Sequence, residues 1–111
     1  MSTRLIASWT IKIPIGGVFS SPLEFRDEDG TVIPYTDPQI VFTPNDGTPV
    51  TWSIGNGQIA FVSTGIYTIF VDTAEIATYD WTSGRYHLSV VDGSSNPIPC
   101  LTSGLAFVVE C

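Results

Sequence analysis

The side chains able to do chemistry are few, and their spacing is poor for it. His87 is the only histidine in the chain. A serine or cysteine nucleophile needs a base within hydrogen-bond reach, and His87 is the only imidazole to serve. It alternates with Tyr86 and Leu88, whose pattern points them inward, so it faces outward as a surface histidine. Glu24, Asp27, Glu28 and Asp29 are the densest acids. Glycoside cleavage needs two carboxyls held across a cleft, whereas acids in and beside one turn face solvent. Asp27, Asp29 and the carbonyls of the Gly30 turn are hard oxygens of the kind calcium takes. The twelve-residue calcium loop, however, would end at Pro38, where a carboxylate is required. The turn therefore reads as solvated. Two cysteines, Cys100 and Cys111, with one histidine fall short of a zinc site. Gly16-Gly17 and Gly55-Asn56-Gly57 lack the lysine or following helix of a phosphate loop. No catalytic residue, metal or cofactor is expected, and the chain reads as non-enzymatic.

Two further sets bear on binding. Tyr79 and Trp81 offer an aromatic platform for a glycan, since small β-sandwiches often hold sugars on exposed tryptophan and tyrosine. Trp52 lines up with Val50 and Ile54 and belongs to a core instead. Cys100 and Cys111 are expected free and reduced. A bend at Ser103-Gly104 would set Cys100 opposite the middle of the last strand and Cys111 beyond its end. A disulfide needs Cα atoms within about 7 Å.

The 111 residues make one domain, 1–111, with room for a single core. Eleven acidic residues against four basic give a formal charge of −7. Arg4, Lys12, Arg26 and Arg85 are scattered, which excludes binding through a nucleic-acid backbone and a polybasic membrane patch. Charged residues are 14% of the chain, below the roughly 25% of ordinary domains, while 43% are hydrophobic. A folded domain with so lightly charged a surface suits cover by a partner. Met1-Ser2-Thr3-Arg4 opens without a secretory leader. The longest apolar run, Leu105-Ala106-Phe107-Val108-Val109, is far below the ~20 residues of a membrane helix.

The elements that must position these residues are strands and turns. Leu5, Ala7, Trp9, Ile11 and Ile13 alternate with Ile6, Ser8, Thr10 and Lys12 and predict a first strand. Val18 to Arg26 predicts a second, with Pro22 marking an edge or bulge. Asp27-Glu28-Asp29-Gly30 turns, Thr31 to Tyr35 stays extended, and Asp37-Pro38 breaks the chain before a strand over Gln39 to Thr43. Pro44-Asn45-Asp46-Gly47 turns into a strand carrying Val50 and Trp52. Gly55-Asn56-Gly57 closes a hairpin into Gln58 to Ser63, and Thr64-Gly65 turns into Ile66 to Asp72. Thr73 to Trp81 holds the one helical turn, with Thr73 as its cap and Ile76 inward. Arg85 to Asp92 follows with Tyr86, Leu88 and Val90 inward, and Ile98 to Leu101 and Leu105 to Glu110 form a bent final strand. The fold class is all-β: a single antiparallel sandwich of about seven to nine short strands. Tyr86 after Gly84 suits either a tyrosine corner or an ordinary half-buried tyrosine.

Both faces of two strands are largely apolar. Ile66, Thr68 and Phe70 oppose Tyr67, Ile69 and Val71, and Ala106 and Val108 oppose Leu105, Phe107 and Val109. An outer face of this kind is covered by a loop or by a neighbouring subunit. Ile66, Thr68, Phe70, Ala106 and Val108 are the interface candidates.

Several segments together resemble a family. They are Phe25-Arg26-Asp27-Glu28-Asp29-Gly30, Gly65-Ile66-Tyr67-Thr68-Ile69-Phe70-Val71, Thr73-Ala74-Glu75-Ile76-Ala77, Gly84-Arg85-Tyr86-His87-Leu88 and Ser103-Gly104-Leu105-Ala106-Phe107-Val108-Val109. In order and spacing the chain resembles the small immunoglobulin-like β-sandwich domains of tailed-bacteriophage virions, as in baseplate upper proteins and minor tail proteins. The shared features are structural punctuation: an Asp-x-Asp-Gly turn, a threonine-acid-alanine turn before a Gly-x-Tyr strand, and a closing strand after a glycine. Trp9, Trp52, Trp81 and Ile98-Pro99-Cys100-Leu101 depart from it. The resemblance implies an immunoglobulin-like fold and a structural protein of the virion, assembled in the host cytoplasm. Its partners would be other virion proteins and copies of itself, in a minor tail, baseplate or neck position. A capsid decoration protein and a glycan-binding adhesion module are the alternatives.

Overall fold

Alternating apolar residues and frequent Gly, Pro and Asx turns produce eight strands and one helical turn. A computed structural model describes residues 10–27 and 29–110, with the backbone alone at Glu110. Leu5, Ala7 and Trp9 of the expected first strand, Glu28 and Cys111 lie outside the described residues. The strands are β1 (Ile11–Ile15), β2 (Phe19–Glu24), β3 (Thr36–Pro44), β4 (Val50–Ser53), β5 (Ile59–Ser63), β6 (Ile66–Val71), β7 (Ser83–Val91) and β8 (Pro97–Glu110). The turn α1 (Thr73–Ile76) lies between β6 and β7. One sheet has the order β1-β8-β7-β3-β4 and the other β2-β6-β5. The chain changes sheet after β1, β2, β4 and β6. The result is an all-β sandwich of two packed sheets.

The two inner faces supply the core. Trp52, Tyr67, Tyr86, Phe25 and Phe42 are its largest fully buried side chains, with Ile11, Ile13, Leu23, Ile40, Ile59 and Ile69 between them. Phe42 meets Trp52 edge-on at 4.6 Å, and Phe25 meets Tyr35 in the same way at 5.5 Å. Each such side chain contributes about 1.5–3 kcal/mol by leaving water. The Tyr67 hydroxyl donates to the Tyr35 carbonyl at 2.8 Å, so its polar atom is satisfied, and burial raises its pKa. Tyr86 is buried 6.3 Å from Phe42. Gly84 before it is a packing requirement. A Cβ there would meet Pro44 Cα and the Thr43 carbonyl at 2.6 Å, because β7 and β3 approach closely.

Four expectations change. The sandwich is not wholly antiparallel: β1 runs parallel to β8, Ile11 opposite Ala106. Gly55-Asn56-Gly57 is no hairpin turn, because β4 pairs with β3 and β5 with β6, so this segment crosses between sheets. The last strand is unbroken through Ser103-Gly104. Its irregularity lies earlier, between the pairs Leu88↔Thr102 and Val90↔Ile98, where Pro99 supplies no N–H for the ladder. Cys100 lies in that stretch, exposed and unbonded. The cap of α1 is Asp72, not Thr73: its carboxylate accepts from the Glu75 N–H at 2.8 Å.

Candidate functional site

The polar side chains concentrate at the corner where α1 meets the end of β4. Asp72 starts the turn, and Ile76 anchors it in the core. This brings Tyr79 back over β4. Trp52 Nε1–H donates to Tyr79 Oη at 2.7 Å, and that hydroxyl donates to Glu75 Oε2 at 3.0 Å. Gln58 Nε2 donates to the same Glu75 oxygen at 3.5 Å, while Gln58 Oε1 accepts from the Ser53 N–H at 3.3 Å. Burial above all holds the Tyr79 hydroxyl protonated, well above its ordinary range. Donation from Trp52 opposes this, and the Glu75 carboxylate adds to it. One step on, Asp80 accepts from the Thr48 N–H at 2.8 Å and the Thr48 hydroxyl at 3.0 Å. Those bonds lower its pKa.

A groove of about 470 Å³ opens over this corner, bordered by Thr48, Asn56, Gln58, Glu75, Tyr79 and Asp80. Its size is in the small-ligand range. It holds two carboxylates, both already accepting hydrogen bonds, and no Lys, Arg or His borders it. Such a surface can accept hydrogen bonds from hydroxyl groups, and it has no cation to receive an anion.

The aromatic platform needs correction. Tyr79 is half-buried and borders the groove, but Trp81 is only 4% exposed. Trp81 packs 5.8 Å from Phe42 with Tyr79 stacked over it at 6.0 Å, so it closes the end of the core. No sugar reaches its face. Its Nε1–H has no hydrogen-bond partner among the described residues.

The acidic turn has a structural role. Asp27 Oδ1 accepts from the N–H groups of Asp29 and Thr31 at 2.9 and 3.0 Å, and the Asp27 carbonyl accepts from Gly30. Asp92 closes the β7–β8 connection in the same way, accepting from Ser94 and Asn96 at 2.8 and 2.9 Å. These bonds lower the Asp92 pKa. His87 lies between Val41 and Ser103 on the outer face of the five-stranded sheet, as its alternation predicts. The described residues contain no group of three or more His, Cys, Asp or Glu placed to hold a metal ion.

The interface candidates divide. Thr68 and Phe70 are exposed and Ile66 half-buried on the outer face of β6. Ala106 and Val108 are buried, and this corrects the expectation for β8. They stand beside Ile11 and Ile13 of parallel β1, on the core side. The outward set is Leu105, Phe107 and Val109. Periodicity could not choose between two apolar sets in one strand.

Four strands end the two sheets, and three are guarded against further pairing. β1 carries Lys12 and Pro14. β2 carries Pro22 and Glu24, the latter bonded to Arg26 at 2.8 Å. β4 is only four residues long, and the Asn56 side chain donates to its Thr51 carbonyl at 3.2 Å. β5, Ile-Ala-Phe-Val-Ser, has no charge and no proline, and its register shift between Phe61 and Ser63 leaves Ile59 to Phe61 in regular pairing with β6. Phe61 is 60% exposed, Val62 57% and neighbouring Phe70 54%. Phe61 and Val62 were not singled out by periodicity. The signal that finds them is charge: from Ile54 to Val71 the sequence has no Asp, Glu, Lys, Arg or His.

No protein-family model and no curated protein matches this chain.

Proposed function

We propose that this chain is a non-enzymatic assembly domain that docks on protein neighbours through its three-stranded sheet. The observation that carries the reading is the uncharged β5–β6 region, with Phe61 and Val62 in water along the open edge and Phe70 on the outer face, on a chain of net charge −7. An exposed apolar patch beside an open strand edge costs solubility and is explained by a partner that covers it. The sequence resemblance to small immunoglobulin-like domains of tailed-phage virions supports a tail, baseplate or neck as the setting. The test is mass spectrometry of washed virions with antibody labelling in the electron microscope. A fixed copy number with label on the tail or baseplate is expected. Label spread over the capsid would select a decoration protein instead. Absence from virions would overturn both.

A second reading rests on the groove at Tyr79: a site for a neutral, hydroxyl-rich glycan. Glu75 and Asp80 would accept sugar hydroxyls, and the tyrosine ring would pack against a sugar face. Acidic sugars would be repelled. Titration with neutral oligosaccharides by saturation-transfer NMR tests it; a signal unchanged in Asp80→Asn would remove it.

A further inference from the structure

We propose that two copies of this chain pair antiparallel through their β5 strands about a two-fold axis, joining two three-stranded sheets into one of six strands. The inference rests on the docking reading above and supplies the partner and the contact.

The backbone sets the pairing. The Phe70 N–H donates to the Gln58 carbonyl at 2.8 Å, and Ile59 stands opposite Ile69. In an antiparallel ladder the bonded groups alternate. Ala60 therefore turns its N–H and C=O toward β6, and Ile59 and Phe61 turn theirs toward the open edge. A second β5 brought up with Ala60 opposite Ala60 receives those groups, Ile59 of each copy standing opposite Phe61 of the other. Beyond Phe61 the register of β5 shifts and Ser63 stands opposite Ile66 of β6, so the ladder between copies spans Ile59 to Phe61. No charge opposes another.

Charge selects the partner. Two copies at −7 repel each other wherever acids face, and only an uncharged surface lets them touch. The stretch from Ile54 to Val71 is such a surface, and it gives a basic partner nothing to recognise. What fits is a neutral, apolar strand of matching length, and each copy carries one. The contact is isologous and closes as a dimer. A five-residue strand buries less than a stable interface needs, so the dimer is weak and neighbouring contacts in a particle would reinforce it. Salt screens the repulsion between copies. Association therefore strengthens as ionic strength rises, opposite to an interface held by ion pairs.

Sedimentation velocity from micromolar to hundreds of micromolar, at low and high salt, tests this with amide exchange at Ile59 and Phe61. A concentration-dependent dimer is expected, tighter in high salt, with both amides protected as it forms. Phe61→Lys should weaken it about tenfold or more. Phe61 lies 5.8 Å from Tyr67, so Val62→Lys is the second variant, free of that contact. A monomer at every concentration, or a dimer indifferent to both lysines, overturns the proposal. The virion experiment separates it from the wider reading. A chain bound in virions yet monomeric removes this inference alone, and a β5 dimer absent from virions removes the wider reading alone.

Discussion

The outer faces of the two sheets differ although their inner faces share one core. The five-stranded sheet presents Gln39, Thr43, Arg85 and His87 to solvent, between buried Ile40, Phe42, Tyr86 and Leu88. The three-stranded sheet presents Ser20, Pro22, Thr68, Ala60 and Phe70, with Glu24 alone carrying charge at its margin. Both obey the same two-residue alternation, so the difference is not one of fold. Gln39, Arg85 and His87 wet the middle of one face, whose β8 side still exposes Leu105 and Val109, while the other face carries almost no charge. The polar corner at α1 sharpens the point. Its hydrogen bonds close upon each other and hold the sandwich end shut. On the docking reading proposed above, polarity in this molecule serves closure and apolar surface serves contact.

The largest break of the comparison removes what the two faces share. Trp52→Ala should cost about 3–5 kcal/mol by the size of the hole, measured by urea unfolding. The two faces should melt in one transition. The next effect is confined to the corner. Tyr79→Phe leaves Trp52 Nε1–H without its acceptor and should cost about 1–3 kcal/mol, with β5 dimerisation unchanged. It should also alter the alkaline limb. The folded pKa of Tyr79 lies above the unfolded value of about 10, so its stabilisation is complete below that pH and is lost as pH rises through the folded value. In Tyr79→Phe that loss should vanish.

The acid limb gives a smaller effect. Asp80 and Asp92 have folded pKa values below the ordinary carboxylate range because N–H and hydroxyl donors hold their charged forms. Their stabilisation is present above the unfolded value of about 3.9 and is lost as pH falls through the folded one. Melting temperature should decline from about pH 4 downward, and Asp80→Asn should flatten part of that decline. A steeper decline in the variant would contradict the assignment.

How much of this was legible in the sequence depended on whether one period sufficed. Tyr86, Leu88 and Val90 are inward, as alternation with His87 required. Ile11 and Ile13 are inward for the same reason. The mini-helix was visible from Ala74-Glu75-Ile76-Ala77, although its cap shifted to Asp72, one of two adjacent residues able to fill that place. Ala106 and Val108 were misplaced because Leu105 to Val109 is apolar throughout. Only the pairing with β1 sets their phase. The crossing at Gly55-Asn56-Gly57 was hidden for a related reason: a Gly-Asn-Gly turn does not reveal which sheet the next strand joins. Trp81 failed as a platform because burial of a corner residue depends on Phe42, thirty-nine residues earlier in the chain.

The last prediction tests whether guarding alone separates the edges. β6 is the middle strand, so residues that do not bond to β5 bond to β2. By the alternation that sets Ile59 and Phe61 outward, Ile69 serves Ser21 and Tyr67 serves Leu23. The nitrogen of Pro22 therefore faces the open edge of β2, where its missing N–H costs the ladder nothing. Glu24 beside it adds charge. Pro22→Thr with Glu24→Thr should change stability by no more than about 0.5 kcal/mol, as at other exposed sites. It should nevertheless change association, since the three-stranded sheet would then be open on both sides. Dimers joined through β5 would add further copies through β2, and light scattering should detect species above the dimer that disappear when Val62→Lys is added. If the double variant remains dimeric, Pro22 and Glu24 are not what closes the β2 edge, and the contrast with β5 must lie in the exposed Phe61 and Val62 side chains.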